Sequence, residues 1–216
     1  ASVLSLVLSY LLQVYTALHQ RNALALSIDL LTGQTGDAAQ MLARLGPDDD
    51  FGDAASQVDS LTHELVAVQE AHHFYPLLFY FRFKEPRYSL ARFSFILLDL
   101  TTLIDTALDK RKHGAFIRSA PVKSLRRCAV LLVETLDRHF HTMADAQATA
   151  RTHDYSESYA KASNTLQQAG LEARQDDGSY AEQRSRWDPL VLRIGSALGD
   201  EVEEIDCRRS RAKRVG

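Results

Sequence analysis

The sequence predicts an all-α fold: a multi-helix bundle with a long leading helix and a disordered, charged C-terminal tail. Three observations carry this. Apolar residues recur at spacings of three and four along most of the chain, which lines one face of a helix, and no segment shows the alternation of a half-buried strand. Glycine and proline fall between the periodic stretches, where helix stops belong. The 216 residues are 45% hydrophobic and 25% charged, a balance that supports a buried core. These signals divide the chain into a leading helix over 1–31, a helical core over 32–150, further helices over 151–199 and a tail over 200–216.

Residues 1–18 carry no charge, and as a helix they would extend about 27 Å, close to a bilayer core of about 30 Å. No basic stretch precedes them, and the helical period runs on through Ala23, Leu26 and Leu30, so the segment does not read as a cleaved secretory signal. With no initiator Met, the chain is expected to begin inside a longer protein, near the exit of a membrane helix. Arg21, the first cation, would then place the rest of the chain on the cytoplasmic side. Ser2, Ser5, Ser9, Gln13, Tyr10 and Tyr15 keep a second reading open, a core helix docked in a soluble bundle.

Gly33 sits where a C-terminal glycine cap ends this helix near Leu31. Thr35 or Asp37 can cap a short helix over Ala38 to Leu45, closed by Gly46-Pro47. The acidic run from Asp48 to Asp53 superficially resembles a calcium loop, but its spacing around Gly52 is wrong and no Glu stands at the twelfth position. It reads as a solvated, helix-capping loop. From Ala54 to Phe74, Val58, Leu61, Leu65, Val68 and His72 form a heptad seam. Pro76 interrupts it, and the aromatic run Phe79, Tyr80, Phe81 and Phe83 predicts a short helix whose bulk needs a partner surface.

Ser89 is placed to cap the next helix, in which Phe93, Ile96, Leu97, Leu100, Leu103, Ile104, Ala107 and Leu108 fill one broad face. This is the most buried helix expected, with Arg92, Asp99, Asp105 and Asp109 on its other side. Pro121 opens a long helix with a second heptad seam through Val122, Leu125, Ala129, Leu132, Leu136, His139 and Met143. The two seams, Val58 to His72 and Leu125 to Met143, are the candidate oligomer or partner interface. A polar helix is predicted over Tyr155 to Gln168, and another after Gly178 is broken at Pro189. Beyond Gly199 the apolar content collapses into acidic and then basic residues, which predicts disorder.

The chemistry-bearing patterns are sparse. Cys128 and Cys207 form neither a disulfide framework nor a zinc ladder. A net charge of −3 argues against a surface built to neutralise nucleic acid. Glu70 and His73 have the Glu-x-x-His spacing of di-iron bundles, but no second such pair exists. His63-Glu64 begins a metalloprotease motif whose second histidine is replaced by Ala67. Asp105 and Asp109 share a helix side that reads as solvated, facing Lys110 and Lys112. Cys128 follows Arg126 and Arg127, which would favour a thiolate if exposed, yet its apolar neighbours predict a structural thiol. No phosphate loop, nucleophile elbow or dinucleotide fingerprint is present, so no catalytic residue, cofactor or metal is assigned. The basic clusters at 110–112, 123–127 and 208–214 are suited to solubility and helix-end charge compensation, or to attraction by anionic lipid or nucleic acid, of which lipid is the nearer if the first helix is membrane-embedded.

Several stretches carry a family resemblance. Ser9-Tyr10-Leu11-Leu12, Gln20-Arg21-Asn22-Ala23-Leu24-Ala25, Thr32-Gly33, Gly36-Asp37, His72-His73-Phe74-Tyr75-Pro76-Leu77 and Tyr80-Phe81-Arg82 together resemble the region after the pore in bacterial two-transmembrane potassium-channel-like proteins. The resemblance spans roughly the first 110 residues and continues loosely to about 145. It implies a homo-oligomeric protein of the cell membrane, in which this chain supplies the end of the inner helix and a cytosolic domain for assembly or gating. Potassium would be met only in a pore region outside this chain. The filter of the Thr-Val-Gly-Tyr-Gly type that defines such pores has no counterpart here, since Thr32-Gly33-Gln34-Thr35-Gly36 lacks the order and comes after the apolar helix. The alternative is a soluble helical module for protein–protein interaction.

Overall fold

The computed structural model describes residues 2–140 and 154–209, and among them every regular element is helical. The α-helices are α1 (Ser2–Leu31), α2 (Ala38–Leu45), α3 (Ala54–Phe74), α4 (Leu90–Thr106), α5 (Gly114–Ile117), α6 (Ala120–Phe140), α7 (Tyr155–Gln168), α8 (Asp177–Ser185), α9 (Asp188–Leu198) and α10 (Val202–Ile205). Their ends reflect local chemistry. After α1, Gly33 takes a left-handed φ of 67°. The Asp37 carboxylate accepts from Ala39 N at 2.8 Å to start α2. Ser89 Oγ does the same for Arg92 N at 3.1 Å to start α4. Pro189 does not break a helix; it opens α9 in its first turn, the one helical site where a missing N–H costs nothing.

α4 is the central element, packed by α2, α6, α8, α9 and α10, and all of its side chains but Arg92 and Asp105 are buried. The most extensive pairing is α3 along α6. Helices α7 to α9 belong to the same core, to which they add Tyr159, Ala162, Leu166, Tyr180, Val191 and Ile194.

Two expectations change here. The heptad seams do not face a partner: Val58, Leu61, Leu65, Val68 and His72 of α3, and Leu125, Leu132 and Leu136 of α6, are buried inside this chain. Two parallel apolar stripes in one chain satisfy each other without an encounter between molecules. His139 is half-buried and stacks on Phe79 with ring centroids 4.2 Å apart, and Met143 lies outside the described residues. The tail is also redrawn. Residues 210–216 lie outside the described residues, but 200–209 are folded: α10 seats Ile205 against α9, and Asp206 and Arg208 are buried. Gly195 permits that seat, since a Cβ there would lie 2.2 Å from Ile205 Cδ1.

Candidate functional site

The leading helix departs from globular packing. Among the described residues it is the one helix long and apolar enough to cross a membrane. From Val3 to Gln13 every side chain is exposed, including Leu4 at 78% and Leu6 at 71%. Burial begins at Val14 and Ala17, which pack with Ala71 and Leu78, and becomes regular from Leu24 onward. The helix from Val3 to Ser9, about 10 Å long, therefore stands clear of the body with mostly aliphatic side chains bare, the kind of exposed apolar surface that marks an interaction or membrane site.

The body meets α1 through α3, the turn after it, the turn at Pro86–Tyr88 and α4; the turn after α3 lies nearest the bare stretch. Pro76 ends that helix, and residues Pro76–Tyr80 form a 3₁₀ turn that lies along α1. Tyr75 donates its hydroxyl proton to Gln13 Oε1 at 2.9 Å, and its ring meets Tyr10 edge-on at 5.8 Å. Farther along, Arg21 is buried and donates to Leu78 O and Phe81 O, both at 3.1 Å. The sequence marked Arg21 as a cation at the end of an apolar run; its role in the fold is to tie two carbonyls of this turn to α1, one of which, Leu78 O, also accepts from Phe81 N at 3.3 Å. Phe74, Leu77, Tyr80, Phe81 and Phe83 remain exposed around this junction.

Behind it, His72 is buried, with Nδ1 2.8 Å from Val68 O and its ring beside Phe79. Burial pulls its imidazole down to about 4; the Val68 bond opposes this and the Arg21 charge adds to it. His72 is therefore neutral at pH 7.

On the far side of α4 is a buried ionic network. Arg208 pairs with Asp99, receives support from Asp37 at 3.2 Å, and reaches the Tyr180 hydroxyl at 3.2 Å. Arg184 pairs with Asp206 and with Asp188 at 3.2 Å. Tyr180 donates to Asp99 at 2.6 Å and accepts from Arg184 at 2.7 Å, and Arg209 closes the set on Asp188 at 2.5 Å. Arg184, Asp99 and Asp206 are each 0% exposed. Burial pushes the Asp206 carboxyl upward, but Arg184 and Arg208 outweigh it and hold the group below the usual carboxylate range. Burial raises Asp99, against the pull of the same two guanidiniums. Such a set is costly to desolvate and costly to break, so its chemistry is that of a lock on the C-terminal segment.

The other sequence candidates do not assemble into a reactive site. Glu70 and His73 are exposed, and among the described residues no three His, Cys, Asp or Glu side chains converge as metal ligands. Asp105 accepts from Gln183 at 2.7 Å, while Asp109 accepts from the backbone of Arg111 at 2.7 Å, so the two carboxylates serve separate partners. Cys128 is half-buried and its thiol is pushed up to about 11 by burial, the opposite of an activated thiolate. Arg208 and Arg209, part of the expected lipid-attracting tail, are spent on the network. Lys123, Arg126 and Arg127 of α6 stay at the surface beside Leu131. No family model matches this chain, and neither a curated protein nor a solved structure matches it.

Proposed function

We propose that this chain is the cytosolic helical assembly or gating domain of a bacterial potassium-channel-like membrane protein, anchored by the first half of α1, with conduction in a pore region outside the chain. The observation that carries the membrane part is the bare apolar stretch from Val3 to Leu12, in a helix long and apolar enough to cross a bilayer. The aromatic side chains at its base, Tyr10, Tyr15, Tyr75 and Tyr80, are of the type that sits at the headgroup level of a bilayer. The potassium-channel part rests on the resemblance of the segments around Arg21 and His72. The rival reading, a soluble module that offers its heptad seams to a partner helix, lacks the surface it needs, because those seams are buried within the chain. Oligomer contacts would then fall to α1 and the outer faces of the bundle.

Fractionation of cells that make the natural protein tests the membrane reading: the chain should pellet with membranes, resist alkaline carbonate and require detergent. Recovery in the supernatant would overturn it. Potassium flux in vesicles containing the purified natural protein tests the channel reading, and its absence in the presence of correct insertion would remove potassium from the proposal.

A further inference from the structure

We propose that the exposed end of the body over residues 74–80 seats in the headgroup-to-acyl boundary of a phospholipid bilayer, beside the point where α1 leaves it. This inference rests on the membrane reading of α1. Three observations support it. First, Phe74, Leu77 and Tyr80 are exposed at 66%, 43% and 55%, large side chains on one short segment. Second, the segment has no freedom to lie elsewhere: the Val14, Ala17, Ala71 and Leu78 cluster and the Tyr75–Gln13 hydrogen bond bind it to α1. Its level is thus that of Tyr10 to Ala17, directly where the bare apolar stretch ends. Third, the composition is interfacial, with the aromatic bodies of Phe74 and Tyr80 and, just beyond, the exposed cation Lys84, whose charge suits anionic headgroups; its neighbour Arg82 donates to Gly199 O at 2.9 Å.

The contacts also order the segment by depth. Tyr75 bonds Gln13 itself, whereas Leu78, Phe81 and Phe83 lie near Arg21, about 12 Å farther along α1, so Phe74 and Leu77, which flank Tyr75 and Pro76, are the seated residues. α10 is more remote: Arg92 lies 3.8 Å from Asp29 and donates to Glu204 O at 3.0 Å. That places α10 near the level of Asp29, about 24 Å beyond Gln13.

The test is tryptophan quenching in vesicles of phosphatidylcholine and phosphatidylglycerol whose acyl chains carry bromine either near the carbonyl end or near the methyl end. The full chain is reconstituted, and the unmodified protein supplies the baseline through its single, buried Trp187. Phe74→Trp and Leu77→Trp should lose emission chiefly to bromine near the carbonyl end. Leu6→Trp should lose it chiefly to bromine near the methyl end, and Val202→Trp should match the baseline. All replaced residues are exposed, so folding is not at issue. Quenching of Leu6→Trp with Phe74→Trp and Leu77→Trp at baseline would overturn the proposal while sparing the membrane reading, and would assign this end to a protein neighbour such as a second copy. Baseline behaviour of Leu6→Trp as well would remove the membrane reading itself. Equal quenching of Val202→Trp would mean that the body adsorbs without orientation, which also overturns the seat.

Discussion

Replacing Arg208 by Met tests whether the C-terminal segment is part of the fold. The guanidinium holds Asp99 and lies 3.2 Å from Asp37, with the Tyr180 hydroxyl at 3.2 Å. Without it, Asp99 stays fully buried, retaining the Tyr180 hydroxyl at 2.6 Å and a more distant Arg184 at 3.9 Å. Removing one partner of a buried pair costs about 3–5 kcal/mol; because Asp99 keeps one hydrogen bond and part of a second cation, the expected loss is about 3 kcal/mol. That is a large share of the roughly 5–15 kcal/mol typical of a domain. Adding Asp99→Asn removes the stranded charge, so the double variant should recover at least about 1 kcal/mol relative to the sum of the single losses. Trp187 reports the transition, because its indole is buried against Phe95 and donates to Thr102 at 3.3 Å. Urea titrations of the single and double variants in mild detergent, monitored by this emission, give the cycle. A change below about 0.5 kcal/mol for Arg208→Met, the usual value for an exposed tail residue, would refute the account of the network.

Three further outcomes are expected. His72 titrates near 4 in the fold against about 6.5 in an unfolded chain. The unfolded state therefore binds more protons as pH falls: stability is full above about pH 6.5, declines down to about pH 4, and levels off below, for a total of about 3 kcal/mol. His72→Asn should remove about 2 kcal/mol of the loss measured by urea unfolding between pH 7.5 and 5; an unchanged slope would show that His72 is not neutral and buried. Leu132→Ala should cost about 3 kcal/mol, as for a filled core position, and a near-zero effect would return the α6 seam to the surface. Deleting residues 1–12 removes the exposed side chains of Val3 to Leu12 and one aromatic contact, so stability should change by about 1 kcal/mol or less; loss of cooperative unfolding would mean that the start of α1 is a core element after all. The deletion stops short of Val14 and Ala17, which are buried.

Helix content and many helix ends were legible in the sequence because they are set by contacts three or four residues apart and by cap residues adjacent in the chain. Asp37, Ser89, Gly33 and Pro121 each act within one turn of where they stand. The length and missing charge of residues 1–18 belong to the same class, since what a bilayer needs of a helix can be counted along it. The aromatic run after Pro76 was visible as bulk in need of a surface. Its attachment to α1 was not, because Gln13 and Tyr75, and Arg21 and Leu78, are 62 and 57 residues apart.

The destinations of the charges and the seams, by contrast, follow from contacts between distant parts of the chain. Asp99 and Arg208 each look solvated in their own neighbourhoods, and the acidic-basic run beyond Gly199 has the composition of disorder. They become core because partners 109 residues apart meet and neutralise one another in a space that neither could enter alone. The seams of α3 and α6 likewise carry one pattern for two outcomes, burial within a chain or between chains. Periodicity defines the apolar face of a helix, and only the packing of the whole chain determines what covers it.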